Sequence, residues 1–296
     1  MTTNRCGYAG LVGRPNVGKS TLLNRLIGQK IAITSHKAQT TRHALLGINT
    51  LESGQVLYVD TPGVHLRGRS TLNRLLNRTA EGVLADVDVI LMVVQALAWT
   101  DEDDATLAAL TRARAPVILV VNKTDLVRPR ERLLPYLDEV KEKYAFDAIC
   151  PVSARAGDNV ARLNSLVLER LPEAPNFFPD DQVTDRSERF LAAELLREQL
   201  TRRYAAELPY ALTVEIERFE DTGRVYRIGA VVWVERPGQK AILIGHNGDA
   251  LKETSRLARE SMEKLFQRKV WLEVWVKVKK SWSSDEQALS RLGYLE

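Results

Sequence analysis

The 296 residues are enough for about two domains of roughly 100–200 residues each. With 45% hydrophobic and 27% charged residues, the composition is that of a globular chain with a core to bury, not a disordered one. Two cysteines, Cys6 and Cys150, exclude a disulfide scaffold or a cysteine zinc site and fit a reducing cytoplasm. The net charge of +4 weakly favours an anionic partner. The apolar run at 89–94 is far short of the roughly 20 residues that span a bilayer. The opening MTTNRCGYAG lacks the apolar core of a signal peptide, so no secretory leader is expected.

In chain order, the apolar stretch 8–12 runs into a glycine-rich turn, and 19–26 has helical character. Residues 45–49 and 55–59 read as neighbouring strands about a turn at 52–54. Leu72, Leu75, Leu76, Thr79, Ala80 and Val83 recur at the three-four spacing of a helix. Runs 89–94 and 117–121 are buried-strand candidates, with a helix carrying Leu107 and Leu110 between them and another at 133–144. A last strand at 149–152 and a last helix at 160–171 complete the half. This alternation predicts an α/β domain with a mainly parallel sheet and helices on both faces.

Pro172, Pro175 and Pro179 then interrupt any regular element. They divide the chain into a first domain at 1–172, a linker at 173–184 and a second domain at 185–296. Phe177 and Phe178 predict that the linker packs on something. Beyond it, 187–206 reads as a helix with Phe190, Leu191, Leu195 and Leu196 on one side. Leu212, Val214 and Ile216 alternate with Thr213, Glu215 and Glu217, the period of a half-exposed strand. A strand at 226–234 follows a turn at 221–223. Residues 242–244 lead into Gly245, His246, Asn247 and Gly248, then a helix to about Phe266 and a strand at 270–278. The order helix, strand, strand, helix, helix, strand is an α+β domain.

Gly13, Arg14, Pro15, Asn16, Val17, Gly18, Lys19 and Ser20 match the GxxxxGK[ST] phosphate loop, set between a strand and a helix. Its glycines let backbone N–H groups turn inward at phosphate oxygens, and the helix behind adds its positive end. Lys19 offers a cation to the β- and γ-phosphates, and Ser20 a hydroxyl to Mg²⁺. Asp60, Thr61, Pro62 and Gly63 close the 55–59 strand. An acid there can hold Mg²⁺ through water, and the Gly63 N–H can sense a γ-phosphate. DxxG alone is an ordinary turn; its place after a phosphate loop gives it weight. Asn122, Lys123, Thr124 and Asp125 end the 117–121 strand. The Asp125 carboxylate can accept the N1–H and 2-amino hydrogens of guanine, donors that adenine lacks. Asn122 can bond O6 or N7, and the Lys123 stem can lie along the base. Ser153 and Ala154, after the last strand, can offer a backbone N–H to O6. Four signals thus converge on the carboxyl edge of the sheet, where open parallel sheets bind ligands.

The stretches GRPNVGKST (ending in Thr21), QTTRH, DTPG, NKTD and VSA resemble those of translation-factor-type bacterial GTPases, specifically the Era family. TDRSERFLAAELLRE, ELPYALTVEIERF, ILIGHNGDALK and LEVWVKVK extend the resemblance over nearly the whole chain. It implies a P-loop GTPase domain followed by a type II KH domain, and Mg²⁺-dependent hydrolysis of GTP to GDP. It also implies binding of small-subunit (16S) ribosomal RNA near its 3′ end and a role in small-subunit assembly and rRNA maturation. For the family it implies a cytoplasmic place with peripheral association at the inner membrane face; a monomer is expected.

Gln39, Thr40, Thr41, Arg42 and His43 match the family's first switch, where a second hydroxyl meets Mg²⁺ once the γ-phosphate is present. Thr41 is the choice and Thr40 the alternative. Val64 stands where many signalling GTPases carry a water-orienting glutamine. Slow unaided hydrolysis, or another electrostatic aid, is therefore expected. Asn16 matches the position where related enzymes hold K⁺; Arg14 is an alternative aid, and His65 reads more simply as solvent-facing. The catalytic expectations rest on Lys19, Thr41, Gly63 and Asn16.

The Gly245–Gly248 tetrad matches the GXXG loop that lets a KH module clamp single-stranded backbone. Its centre, His246-Asn247, departs from the basic residues common there, and Asp249 adds a negative charge. Between residues 252 and 282 nine basic residues face four acidic ones, an excess larger than that of the whole chain. RNA contacts are expected at Gly245, His246, Asn247, Gly248, Lys252, Lys277 and Lys280. Trp271 and Trp275 can stack on bases, but burial against 285–295 is the preferred reading. Two other functions remain in view: a signalling GTPase whose second domain binds protein, and an RNA-modifying enzyme. For the latter the scattered histidines and cysteines suggest no second catalytic centre.

Overall fold

The computed structural model describes residues 4–35, 37, 40–62, 86–111, 113–204, 208–280, 282 and 289. The helix expected at 72–83 lies outside them, as do Gln39, Gly63, Val64 and His65. The described residues form two compact units. One comprises 4–32, 41–62 and 86–185; the other comprises residues from 186 on together with those described between 33 and 40.

In the first unit, β1 (Arg5–Val12), β2 (Leu45–Leu51), β3 (Gly54–Asp60), β4 (Val89–Gln95), β5 (Val117–Asn122) and β6 (Ala148–Pro151) form one sheet in the order β2-β3-β1-β4-β5-β6. All neighbours are parallel except β2 and β3, which the tight turn between them makes antiparallel. The helices are α1 (Lys19–Ile27), α2 (Asp101–Leu110), α3 (Leu133–Lys141) and α4 (Val160–Leu168). Ile90, Met92 and Val94 pack with Leu107 and Leu110 of α2 and Tyr136 and Val140 of α3. The alternating Val89, Leu91 and Val93 are equally buried on the opposite face. Coverage on both sides explains why these strands read as unbroken apolar runs. β1 lies between β3 and β4, where the strand order reverses, and the phosphate loop leaves from its end.

The proline-rich stretch is tied to this sheet. Gln55 Oε1 accepts the N–H groups of Phe177 and Phe178 at 3.0 Å each, and the Ile48 N–H donates to Val183 O at 2.9 Å.

The second unit contains α5 (Glu188–Arg203), β7 (Leu212–Asp221), β8 (Val225–Val234), α6 (Pro237–Ile244), α7 (Asp249–Phe266) and β9 (Lys269–Val278), the element order expected from the sequence. Ser187 caps α5 by accepting the Phe190 N–H at 3.2 Å. β7 and β8 pair antiparallel, β8 and β9 parallel. Leu195, Leu196 and Leu200 of α5, Ala258 and Met262 of α7, and Ile228, Ala230 and Val232 of β8 share one core. Residues 33–40 belong here because Glu198 of α5 accepts the Thr34 N–H at 3.0 Å and Arg202 donates to Thr34 O at 3.0 Å.

On β9 the even positions Val270 and Val276 are buried, so the odd positions point away from the helices. Trp271 is accordingly 60% exposed and Trp275 48% exposed. The expected burial of these two tryptophans is not found. No helix among the described residues is long and apolar enough to cross a membrane.

Candidate functional site

The phosphate loop joins β1 to α1. Gly13 has φ 147°, and a Cβ on it would lie 2.3 Å from Val93 O; only glycine fits. Asn16 is exposed at φ 65°, a left-handed conformation that asparagine tolerates. Lys19 is only 6% exposed and reaches back over the loop. Its Nζ donates to Gly13 O at 2.8 Å and Arg14 O at 3.1 Å. Burial lowers its pKa to about 8, against the opposing pull of Asp60. Arg14 turns away from the loop: its Nε meets Asp103 Oδ2 at 2.9 Å. Pro15 is half-buried and Val17 buried. Thr21 lies in the first turn of α1.

Beside the loop, three oxygen groups converge. Ser20 Oγ donates to Asp60 Oδ2 at 2.6 Å and lies 2.8 Å from Thr41 Oγ1. Thr41 Oγ1 is 3.4 Å from the same Asp60 oxygen. Thr40 points elsewhere, donating to Lys37 O at 2.6 Å. Between the two threonines, the geometry brings Thr41 to Ser20. Asp60 is buried, which raises its pKa, and Oδ1 has no hydrogen-bond partner among the described residues. An unsatisfied buried carboxylate oxygen beside two hydroxyls suits a small hard cation that takes oxygen ligands. Among the described residues no cluster of three His, Cys, Asp or Glu offers another metal place. Thr61 holds this turn to the sheet, its Oγ1 donating to Leu11 O at 2.8 Å, and Pro62 is buried.

Asp125 follows β5, and Ser153 Oγ donates to its Oδ1 at 2.7 Å, so Ser153 orients the carboxylate. Lys123, at φ 65°, anchors its Nζ on Gln95 Oε1 at 2.8 Å. The Asn122 Nδ2 donates to Val17 O at 2.9 Å and its Oδ1 accepts the Ala154 N–H at 3.0 Å, bonds that use one of its two amide hydrogens. It staples the phosphate loop to the 153–154 loop. The Ser153 N–H donates to Asp158 O at 3.1 Å. Sequence reading missed Arg25, on α1, whose guanidinium holds the carbonyls of Ala154 at 3.1 Å and Arg155 at 2.5 Å. No motif marks it, because its partners lie about 130 residues away.

In the second unit, α6 ends at Gly245 and α7 begins after Gly248. Gly245 has φ 74°, and a Cβ there would lie 2.5 Å from Ala250 Cβ; Gly248 has φ 82° and open space around it. His246 and Asn247 are exposed, and Lys252 is exposed on the first turn of α7. Lys280 is exposed past the end of β9. Lys277 lies on β9. It sits on the open face of the sheet, its Nζ 2.8 Å from Glu217 and 5.6 Å from the Trp233 ring centroid. Arg256, Arg259 and Arg268 are likewise ion-paired, to Glu253 and Glu260, to Glu263, and to Asp221.

The chain resembles known proteins along its whole length. Residues 8–123 match the family described as 50S ribosome-binding GTPase, and residues 207–283 match the KH domain family. It is 53% identical to GTPase Era of Pseudomonas savastanoi over 293 residues, covering 99% of this chain and 98% of that protein. Identity to GTPase Era of Pseudomonas aeruginosa is also 53%, over 98% of this chain and 95% of the relative. Among solved structures, Aquifex aeolicus Era bound to GDP·AlF4⁻ aligns with TM-score 0.92 and 36% identity, over 98% of this chain and 99% of the other. Era in complex with MgGDPNP and nucleotides 1506–1542 of 16S ribosomal RNA aligns with TM-score 0.94 and 35% identity, with the same coverage.

Proposed function

The chain belongs to the Era family of GTPases, and from that premise we propose that it couples GTP hydrolysis to binding of the 3′ end of 16S rRNA. In this reading it assists maturation and assembly of the small ribosomal subunit. The observation that carries it is the exposed Gly245–Gly248 loop on a KH unit, together with a relative of the same architecture solved on 16S rRNA nucleotides.

In this reading Gly13–Thr21 cradles the phosphates with backbone N–H groups, and Lys19 supplies a mobile cation. Ser20, Thr41 and, through water, Asp60 hold Mg²⁺. The ion, when bound, neutralises charge on the β- and γ-phosphate oxygens. The Gly63 N–H meets the γ-phosphate. Asp125, held in aim by Ser153, reads guanine; Asn122 and Ala154 lock the two loops that frame the base. Asn16 would hold a K⁺ ion, which would stabilise negative charge near the β–γ bridge where no glutamine orients water. The RNA backbone is clamped by Gly245, His246, Asn247 and Gly248, with Lys252 and Lys280 beside it. The protein acts as a monomer in the cytoplasm, with peripheral contact to the inner membrane face.

The test is transcriptome-wide cross-linking of the parent against a variant with His246→Asp and Asn247→Asp. Enrichment of the 3′ end of small-subunit rRNA in the parent alone is expected. Equal recovery from both would move the RNA site off this loop. Absence of RNA from both, with intact GTP hydrolysis, would favour a protein-binding second unit.

A further inference from the structure

Glycine and asparagine permit the shape of the phosphate loop but do not fix it. Gly13, Asn16 and Gly18 all have left-handed φ, at 147°, 65° and 102°. Contacts from outside must keep it so. One tether is Lys19, bonded back to the carbonyls of Gly13 and Arg14. A second is Asn122, bonded to Val17 O. The third leaves from Arg14, whose Nε donates to Asp103 Oδ2 at 2.9 Å and whose Nη2 donates to Ala98 O at 3.2 Å. The first tether uses the cation that the phosphates require. Once Lys19 turns to a phosphate, the side-chain anchor left on the leading half of the loop among the described residues is Arg14.

Asp103 has a local duty as well. It is the third residue of α2, and its Oδ2 accepts the Thr100 N–H and hydroxyl at 3.0 Å each. A cap would work equally well with its carboxylate in water. Its neighbours Asp101 and Asp104 are exposed, yet Asp103 is wholly buried, with Oδ1 lacking a hydrogen-bond partner among the described residues. A buried carboxylate is costly unless paired, so capping does not explain its position; pairing with Arg14 does. The pair also acts on Lys19 in opposite senses, Asp103 favouring its charged form and Arg14 opposing it.

We propose that Asp103 is a positioning residue for the phosphate loop: through Arg14 it fixes the loop's leading half while neutralising a guanidinium that would otherwise lie free beside the nucleotide. This rests on the reading of Gly13–Ser20 as the GTP-binding loop.

The experiment is stopped-flow dissociation of fluorescent GDP, with Mg²⁺, from the parent, Arg14→Ala, Asp103→Asn, the double variant and Thr100→Ala, with thermal melts alongside. Each of the first two variants should speed release about tenfold, and the double variant no further, because residues in contact are non-additive. Thr100→Ala, which removes the hydroxyl from the cap and leaves the Arg14–Asp103 pair, should lower the melting temperature but leave release nearly unchanged. Arg14→Lys, which keeps the charge pair, should return release toward the parent rate. Multiplicative effects in the double variant would overturn the proposal. So would release from Thr100→Ala as fast as from Asp103→Asn, which would reduce Asp103 to a cap. Should Asp103→Asn fail to fold, Arg14→Lys against Arg14→Ala decides; equal rates in those two would sink the pairing. A parent that binds no guanine nucleotide would overturn the GTP-loop reading and the proposal with it. A binding parent with independent effects overturns this proposal alone.

Discussion

Lys19 titrates near the working range because the loop buries it, its pKa falling to about 8. The unfolded chain binds that proton up to pH about 10.4. Between these values the unfolded state holds more protons, so this group's contribution to stability rises with pH there and is smallest below about 8. Phosphates reverse the balance by favouring the ammonium. Nucleotide binding above pH about 8 should therefore take up a proton, read as a dependence of calorimetric enthalpy on the buffer's ionisation enthalpy. No such dependence would mean that Lys19 stays charged in the empty loop. In the proposed function Asp125 carries base choice, and Ser153 holds its carboxylate at 2.7 Å. Asp125→Asn should lose GTP by at least about 10³-fold and gain xanthosine nucleotides, since the amide NH2 would face a guanine donor and leave both unpaired, whereas the 2-oxo group of xanthine accepts it. Retained GTP affinity would remove Asp125 from the base site. Asn16, exposed at φ 65°, should give faster hydrolysis in K⁺ than in Na⁺. Asn16→Asp tolerates the same backbone, so loss of the K⁺ preference there would report the ion and not strain. Equal parental rates in both salts would dismiss the cation.

Among the elements, the α6–α7 junction makes the sharpest statement. Its two glycines are required for different reasons. Both have left-handed φ, but only at Gly245 would a Cβ strike another residue, 2.5 Å from Ala250 Cβ. Gly248→Ala should cost roughly 1 kcal/mol of backbone strain, and Gly245→Ala more, because α6 and α7 must also separate. Chemical denaturation of the two variants checks the order; equal losses would mean that the helices yield easily. Strand parity decides the lysines. Lys277 shares the open face of β9 with the exposed Trp271 and Trp275 and is paired with Glu217. Lys280→Ala should weaken RNA binding and reduce the salt slope by about 0.7, as for one phosphate contact on a single strand, whereas Lys277→Ala should change little. Anisotropy titrations at several salt concentrations separate the two. A Lys277 effect as large as that of Lys280 would draw RNA onto the open face.

At the scale of the whole molecule, the KH match lies within the second compact unit and most of the GTPase match within the first, so the proposed nucleotide and RNA sites are on separate units. The substitutions His246→Asp and Asn247→Asp fall on exposed loop positions, where changes usually cost less than about 0.5 kcal/mol. They should abolish binding of the 3′-terminal rRNA strand while leaving GDP affinity and the melting temperature near parental values. Loss of GDP binding in this variant would show that the two activities are not separable.

The elements and their order were legible in the chain because each reports a local constraint. Buried strands such as β4 and β5 are apolar at every position, α7 repeats buried residues at four-residue spacing through Thr254, Ala258 and Met262, and Gly13 and Gly18 mark a turn that few other residues can make. The motif residues were legible for the same reason, as chemistry concentrated in runs of four to eight positions. What lay hidden were partners far apart in sequence. Nothing local shows that Asn122 ties Val17 to Ala154, or that Arg25 supports the 153–155 loop. Nor does it show that Arg14 leaves its own loop for Asp103. Even the exposure of Trp271 and Trp275 depended on which face of β9 the helices cover, although Val270 and Val276 already carried the parity. Local propensity writes elements and turns into short stretches of sequence; only the packing of distant segments decides which polar groups meet and which faces stay open.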